Sequence, residues 1–397
     1  TGSGKTECAV IPIFSQIKKT KKQGKIKVLY VTPLRALNRD VFRRIIKYAK
    51  LEELTIEIRH GDTSQSARKK ISDSPPDVLI TTPETLVILL TQRKMLTALS
   101  ELERVIIDEI HELLPSERGS QLSLSLERLQ LNSNQKIIRT GLSATIGNTE
   151  DAAQFLVGTK KACKIIKDKS IRKYEVEVKF VEGSISEVAD SIIEYVDKLG
   201  LDSPILLFTN TRGESEFLAS ILRDKTIMNI ELHHGSLSRQ VREETEGVLR
   251  SGKSGIVVCT SSLELGLDIG SVELVIHYGS PRQVSKLMQR IGRSKHFRNS
   301  SARGLIITNS SDDEFESKAI LNRIKNISIE EQKIHNESLD VLAHHLVGLS
   351  LQMGEISVDF AYKIIKQAYP FRNITLDEFC NVLEILDQIY ILYFDKK

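Results

Sequence analysis

The chain has 397 residues, of which 40% are hydrophobic and 27% are charged, and this favours two or three globular domains over one. No apolar run reaches the roughly 18–20 residues that a membrane-spanning helix needs, so we expect no membrane partner and a cytoplasmic location. The net charge of +4 is too small to indicate nucleic acid by itself, and four widely separated cysteines favour reduced thiols over a zinc site or a disulfide framework.

Short apolar runs alternate with amphipathic stretches along most of the chain. Because helical patterns lie between the runs, we predict two α/β domains, each a parallel sheet with helices on both faces. The predicted buried strands are 28–31, 78–80, 105–107 and 137–138 in the first domain, and 176–180, 205–208, 256–258, 274–276 and 305–307 in the second.

A polar, lysine-rich stretch at 164–174 marks the predicted join between the two α/β domains, which we place at 1–168 and 169–326. A strand-poor third region, 327–397, follows them. Its predicted helices lie around 339–351 and 359–368, and a further one starts at Thr375 with Phe379, Val382, Leu383 and Leu386 on one face.

The first six residues match the latter part of a phosphate-binding loop, Thr1-Gly2-Ser3-Gly4-Lys5-Thr6. Glycines in such a loop let backbone N–H groups close around phosphate oxygens. Lys5 would supply a charge to the β and γ phosphates, and the Thr6 hydroxyl could bind Mg²⁺. The full pattern needs another glycine and a strand before Thr1, so we expect the sequence to begin inside the motif. A chance Gly-Lys-Thr before a helix is the alternative.

A second candidate element is an apolar strand that ends in two adjacent carboxylates, Asp108 and Glu109. In an open parallel sheet, ligands bind beyond the carboxyl ends of the strands. Asp108 is therefore predicted near Mg²⁺, and Glu109 would orient or deprotonate the attacking water. A solvated Asp-Glu turn is the alternative, but a phosphate loop followed by such a strand end is much rarer than either feature alone.

At this point the sequence resembles the superfamily 2 helicases, because Asp108-Glu109-Ile110-His111 is a variant of their DEAD/DEAH box, motif II. The other motifs follow in the family's order. Residues 32–37 resemble motif Ia, 81–84 motif Ib, 143–145 motif III, 207–212 motif IV, 258–268 motif V and 289–296 motif VI. Within that superfamily the chain resembles the Lhr (large helicase-related) group, on residues 33–44, 111–129 and 278–282.

The resemblance implies an α/β fold of two tandem RecA-like parallel-sheet domains, followed by a winged-helix domain that we expect to be partial and helical. It also implies a helicase or translocase that hydrolyses ATP between the RecA-like domains. Such a motor would move on single-stranded DNA, 3′ to 5′, and unwind duplexes in DNA repair or recombination. The implied partners are single-stranded or partly duplex DNA, with RNA or an RNA–DNA hybrid as further substrates.

Two alternatives to this function stay open. One is an RNA-directed remodelling or strand-annealing ATPase that uses the same core. The other is a non-motor NTPase of the phosphate-loop class, against which motifs IV to VI argue, because such enzymes need no second RecA-like domain with an arginine finger.

The resemblance also assigns roles to residues outside the phosphate loop. The catalytic set is Lys5, Asp108, Glu109, Gln289, Arg290 and Arg293, and the metal ligands are Thr6 and Asp108. Gly266 and Asp268 join the nucleotide site, and His111, Ser143 and Thr145 couple it to the nucleic-acid track. The implied nucleic-acid contacts are Pro33, Arg35, Arg39, Thr82, Thr209, Arg212 and Thr260.

Two of these assignments carry a physical argument of their own. Arg293 is the implied arginine finger, and lysine should not replace it, because only the guanidinium binds phosphate in a planar fork. Arg35, Arg39 and Arg43 recur every four residues and would form one basic face of a helix. Phosphate contact is the favoured interpretation of that face, and a solvated surface is the alternative.

Overall fold

The structure is a computed structural model, which describes residues 4–18, 20, 22–144, 146–159, 162–167, 174–201, 203–264, 272–294, 302–326 and 328–395. These residues form two compact units. The first unit contains residues 4–166 together with 331–397, and the second contains residues 167–330.

Strands and helices alternate through most of both units, as the sequence pattern predicted. The strands are β1 (Val28–Val31), β2 (Ile56–Ile58), β3 (Val78–Thr81), β4 (Arg104–Ile107), β5 (Ile138–Gly141), β6 (Tyr174–Phe180), β7 (Pro204–Phe208), β8 (Ile230–His233), β9 (Gly255–Cys259), β10 (Leu274–Tyr278) and β11 (Ala302–Thr308).

The described residues also form helices. They are α1 (Lys5–Lys18), α2 (Arg35–Leu51), α3 (Gln65–Asp73), α4 (Pro83–Leu89), α5 (Arg93–Leu99), α6 (Glu117–Asn132), α7 (Thr149–Val157), α8 (Ile185–Leu199), α9 (Arg212–Lys225), α10 (Arg239–Ser251), α11 (Val284–Ile291), α12 (Ser311–Lys325), α13 (Leu339–Met353), α14 (Val358–Ile365) and α15 (Leu376–Gln388), with short 3₁₀ turns at Ile110–Glu112, Ser261–Leu263 and Tyr369–Phe371. None of these helices combines the length and apolar character that crossing a bilayer requires.

The first unit is built on a parallel sheet with the strand order β2-β3-β1-β4-β5. Alternate residues of its central strands enter two different cores. Leu29 and Val31 pack in one core with Ile107, whereas Val28 and Tyr30 pack in the other. Both faces of the sheet are therefore covered, which is why these strands are continuous apolar runs in the sequence.

The second unit has a six-stranded parallel sheet with the order β6-β11-β10-β7-β9-β8. The prediction of two parallel α/β sheets is thus confirmed. Two strands were not predicted, β2 and β8, and both lie at a sheet edge. Each is short and carries a glutamate, Glu57 or Glu231, so neither forms the apolar run by which the buried strands were recognised.

The C-terminal helices α13 and α14 pack against α6 within the first unit, and α15 packs against α13, around a core that includes Leu124 and Phe371. Arg128 of α6 is fully buried in this packing. Its Nη2 donates to the backbone oxygen of Gly348 at 2.8 Å, and its Nε donates to Oε1 of Gln352 at 3.0 Å. The third region is therefore held by apolar packing and by a buried guanidinium.

Candidate functional site

The phosphate loop leads into the N-terminus of α1. Gly4 has a φ of 72°, in the left-handed region that favours glycine, and its carbonyl accepts the first helical hydrogen bond, from the N–H of Cys8 at 2.8 Å. Lys5 and Thr6 occupy the first turn, where free N–H groups and the helix dipole favour an anion. Thr1, Gly2 and Ser3 lie outside the described residues.

The two carboxylates follow β4 at the carboxyl edge of the first sheet. Both are buried, with 9% of each residue exposed. Oδ1 of Asp108 accepts from the N–H of Glu109 at 3.0 Å. The pKa of Asp108 is raised to about 6, chiefly by burial and then by the charge of Glu109, while a hydrogen bond from Tyr30 and the charge of Lys5 oppose the increase. Glu109 has a φ of 47°, a left-handed conformation that costs a non-glycine residue about 1–3 kcal/mol.

Tyr30 is a site residue that the sequence analysis missed. It is fully buried in β1, and its hydroxyl donates to Oδ2 of Asp108 at 2.7 Å. Burial and the negative charge of Asp108 raise the pKa of Tyr30 well above its usual value, while a hydrogen bond with Thr6 lowers it. Tyr30 therefore brings together the two residues that were predicted to bind the metal. Its one signal in the sequence is a polar atom in an otherwise aliphatic strand.

A chain of contacts links the phosphate lysine to the acidic strand end. Nζ of Lys5 donates to the backbone oxygen of Ser143 at 2.6 Å, and the Ser143 hydroxyl lies 3.3 Å from Nδ1 of His111. The same Nδ1 lies 3.5 Å from Oε2 of Glu109. The structure thus brings together residues from motifs I, II and III, whereas Thr145 lies outside the described residues.

The predicted nucleic-acid residues of the first unit lie at the same sheet edge as the carboxylates. Pro33 and Thr82 follow β1 and β3, which pair with each other through Val31 and Thr81. Both are buried, and the Thr82 hydroxyl donates to the hydroxyl of Thr85, in the first turn of α4, at 3.2 Å. The Thr82 side chain is therefore engaged within the first unit.

The basic residues of motif Ia line one side of α2, as predicted from their spacing. Arg35 and Arg43 are exposed, and Arg39 is half-buried. Nη1 of Arg35 lies 2.6 Å from Oδ1 of Asp62, so this guanidinium is fixed by an exposed ion pair.

Arg118 was also missed, although it lies in the stretch that resembles the Lhr group. Its Nη2 donates to the backbone oxygen of Pro33 at 2.5 Å, and its Nε donates to Oε1 of Glu84 at 2.5 Å. Burial alone would raise the pKa of Glu84, but hydrogen bonds, chiefly the one from Arg118, hold that pKa below its usual range. A Cβ on Gly119 would lie 2.0 Å from the Leu113 oxygen, so any larger residue at position 119 would force the backbone to shift. Arg118 therefore joins motif Ia to motif Ib.

In the second unit, the guanidinium of Arg290 in α11 contacts a carboxylate, an imidazole and an aromatic ring. Its Nε and Nη2 lie 3.2 and 3.0 Å from Oε2 of Glu264, its Nη1 donates to Nε2 of His277, and its guanidinium carbon lies 5.1 Å from the centre of the Phe208 ring. Burial and the charge of Arg290 hold the pKa of His277 well below its usual range. These contacts favour a positioning role for Arg290 over the predicted contact with phosphate.

Arg293 follows the end of α11 and is 7% exposed. Its Nη2 donates to the backbone oxygen of Glu264 at 2.7 Å, so Arg290 and Arg293 converge on the same residue of motif V. Gln289 is half-buried on α11. Gly266 and Asp268 lie outside the described residues.

The predicted nucleic-acid residues of the second unit meet at one edge of its sheet. Thr209 and Thr260 follow β7 and β9, which pair through Phe208 and Cys259. Thr209 is fully buried and its hydroxyl donates to the Thr211 carbonyl at 3.0 Å, while Thr260 is half-buried. Arg212 is exposed at the start of α9.

Comparison with protein families matches three parts of the chain. Residues 1–153 match the DEAD/DEAH box helicase family, residues 187–298 match the helicase conserved C-terminal domain, and residues 322–390 match the winged helix domain of the large helicase-related protein. The three matches follow the order of the regions predicted from the sequence.

Individual relatives agree with these matches. The ATP-dependent helicase Lhr-Core of Methanocaldococcus jannaschii is 39% identical over 410 residues, which covers 97% of this chain and 48% of the relative. The Lhr helicase/uracil glycosylase of Escherichia coli is 30% identical over 462 residues, which covers 98% of this chain and 30% of the relative.

A solved structure shows the same fold. The helicase Lhr of Mycobacterium smegmatis, bound to ssDNA and AMP-PNP, superposes with a TM-score of 0.85 at 31% identity, and the match covers 97% of this chain and 52% of that one. The chain therefore spans about half the length of the first relative and of the solved protein. Its two parallel sheets are RecA-like domains, and the chain belongs to the Lhr family of the superfamily 2 DEAD/DEAH-box helicases.

Proposed function

We propose that the protein carrying this sequence is an ATP-driven helicase that moves on single-stranded DNA, 3′ to 5′, and unwinds duplexes in DNA repair or recombination. The observation that carries this proposal is the contact chain from Lys5 through Ser143 and His111 to Glu109. A phosphate that draws Lys5 away from the Ser143 carbonyl would free the loop of motif III. Nucleotide binding would in this way change the contacts of a loop outside the nucleotide site. We also propose domain limits of 1–168, 169–326 and 327–397.

The residues near Asp108 fit a magnesium ion. Mg²⁺ prefers hard oxygen ligands. The Thr6 hydroxyl and the Asp108 carboxylate supply such oxygens, and both form a hydrogen bond with the Tyr30 hydroxyl. A buried carboxylate beside a second carboxylate is unfavourable without a cation, which the raised pKa of Asp108 reflects. Thr6 and Asp108 would hold the ion, which would neutralise developing charge on the phosphate oxygens.

Hydrolysis needs a positioned water and stabilisation of the charge that moves. The strained backbone of Glu109 and the contact with His111 fix the Glu109 carboxylate, which would orient or deprotonate the water. Arg293 would stabilise the transferring phosphoryl group, a role that contributes roughly 10³–10⁵ in rate in enzymes of this kind. Arg290 would hold Glu264, and with it the backbone oxygen to which Arg293 donates.

The nucleic-acid contacts would lie at the carboxyl ends of the strands in each unit, near Pro33 and Thr82 in the first and near Thr209, Arg212 and Thr260 in the second. Backbone amides and exposed arginines at such edges bind phosphates without reading the base sequence. The Mycobacterium smegmatis relative was solved with ssDNA bound, which supports a single strand as the ligand.

The test is ATP hydrolysis by the protein carrying this sequence, measured without nucleic acid, with single-stranded DNA and with single-stranded RNA. We expect stimulation by DNA, whereas stimulation by RNA alone would favour an RNA-directed remodelling ATPase. Turnover that neither strand changes would contradict a translocase. The control is Glu109→Gln, which should retain ATP binding and lose turnover, because an amide cannot accept the proton.

A second assay addresses direction and unwinding. Duplexes with a 3′ or a 5′ single-stranded tail are offered with ATP, and release of the labelled strand is measured. We expect release from the 3′-tailed duplex only. Release from the 5′-tailed duplex alone would reverse the proposed polarity, and release from neither would limit the activity to translocation or remodelling.

A further inference from the structure

The helix that carries motif VI is capped by a residue from the segment that leads to the third region. Oε1 of Glu330 accepts from the backbone N–H of Val284 at 2.8 Å, and its Oε2 accepts from the N–H of Ser285 at 3.2 Å. The helix has no cap of its own, because the side chain of Gln283 at the N-cap position makes no capping hydrogen bond. Nη1 of Arg323 lies 3.3 Å from Oε1 of Glu330 and fixes that carboxylate.

A carboxylate at this position stabilises the helix in two ways. It satisfies N–H groups of the first turn that have no partner within the helix, and its negative charge faces the positive end of the helix dipole. Because α11 has 8 residues, loss of this cap should destabilise a large part of the helix. The opposite end of α11 leads to Arg290 and Arg293, so fraying of the helix would disturb the residues that converge on Glu264.

The residues that follow Glu330 are anchored in the first unit. Asn148 and Gln332 make two hydrogen bonds, from Nδ2 of Asn148 to the Gln332 oxygen at 2.9 Å and from the Gln332 N–H to Oδ1 of Asn148 at 3.1 Å. The N–H of His335 donates to the Leu114 oxygen at 2.9 Å, and its oxygen accepts from the Ser120 hydroxyl at 2.6 Å. Asn148 follows motif III, and Leu114 follows motif II.

We propose that Glu330 is a positioning residue for the arginines of motif VI, because its carboxylate caps the helix that carries Arg290 and leads to Arg293. This inference rests on the proposed function, because it concerns the arginines of the ATP-hydrolysing site.

The first test separates turnover from binding. Because Arg293 acts on the transition state, Glu330→Ala should lower kcat by about 10-fold and leave KM for ATP unchanged. Glu330→Gln retains one acceptor oxygen and should fall between Glu330→Ala and the native protein. The matched control is Glu331→Ala, since Glu331 is an exposed neighbour in sequence, and it should leave kcat unchanged. Equal kcat in Glu330→Ala and Glu331→Ala would overturn the proposal.

The second test does not depend on ATP turnover. Hydrogen exchange is measured by mass spectrometry on peptides from α11 and α12, without nucleotide. Loss of a helix cap of about 0.5–2 kcal/mol corresponds to roughly 2–30-fold faster exchange, which Glu330→Ala should show in α11 but not in α12. Unchanged exchange in α11 would refute the capping role. If the native protein proved not to hydrolyse ATP, faster exchange would still establish the cap, so the two failures are distinguishable.

Discussion

Asp108 should make the protein less stable without metal, in a way that depends on pH. Its pKa rises from the ordinary value of 3.8 to about 6 in the folded protein, chiefly through burial. At about 1.4 kcal/mol for each pH unit between these values, the ionised carboxylate destabilises the folded state by about 3 kcal/mol. Because the folded pKa is the higher one, the destabilisation is absent below about pH 4, grows between pH 4 and 6, and is complete above that range.

The perturbation is Asp108→Asn. The two oxygens of Asp108 accept one hydrogen bond each, from Tyr30 and from the Glu109 N–H, and asparagine offers only one acceptor oxygen. That loss subtracts about 1 kcal/mol, so the net gain should be about 2 kcal/mol at pH 8 and under about 1 kcal/mol at pH 5. The variant should nevertheless lose its response to Mg²⁺, because the charged ligand is gone.

The assay is hydrogen exchange of peptides covering β1 and β4 in the presence of a chelator, with the native protein and the variant compared at each pH. A gain of about 2 kcal/mol corresponds to roughly 30-fold slower exchange at pH 8. Asp73→Asn is the control, because Asp73 is an exposed carboxylate paired with Lys94, and it should give no gain at any pH. A variant no more protected than the native protein at pH 8, or equally more protected at pH 5 and pH 8, would refute the reasoning.

Three further predictions concern residues with one defined role each. Arg293→Lys should bind a fluorescent ATP analogue normally and hydrolyse ATP at least about 100-fold more slowly; an unchanged rate would remove the finger assignment. Arg118→Ala should weaken binding of single-stranded DNA by about 10-fold in fluorescence anisotropy, because motif Ia loses its bond to Arg118, and unchanged affinity would refute this. Gly348→Ala should destabilise the third region by about 1–3 kcal/mol, because its Cβ would lie 2.5 Å from the buried Nη1 of Arg128, and an unchanged Tm would argue against it.

Local signals predicted most of the fold. The strand at 28–31 is a continuous apolar run buried on both faces, and it forms β1 over the same residues. The helix expected to start at Thr375 begins one residue later, with Thr375 and Glu378 forming a capping box. In these cases the residues that determine the structure are neighbours in sequence. The edge strands β2 and β8 were missed because a half-exposed strand needs no apolar run.

The site was predicted where it depends on strand ends. Once the strands are parallel and in register, the residues after β1, β3 and β4 must meet at one edge, so motifs Ia, Ib and II could be placed together from sequence alone. The partners of those residues could not be placed in the same way. Tyr30 and Asp108 are 78 positions apart, and Glu330 and Val284 are 46 apart, with no local pattern that relates either pair.

Contacts in the folded chain distinguish Arg290 from Arg293. From sequence, Arg290 and Arg293 are equivalent, because both belong to motif VI and both are permanently charged. What separates them is burial against specific partners: Arg290 binds the carboxylate of Glu264 and the ring nitrogen of His277, whereas Arg293 uses Nη2 to reach a backbone oxygen. Releasing Arg290 to bind a phosphate would break its ion pair with the buried Glu264 carboxylate, a change that typically costs 3–5 kcal/mol. The Nη2 of Arg293 would give up a neutral acceptor, so we propose Arg293 as the arginine that contacts the phosphate of ATP.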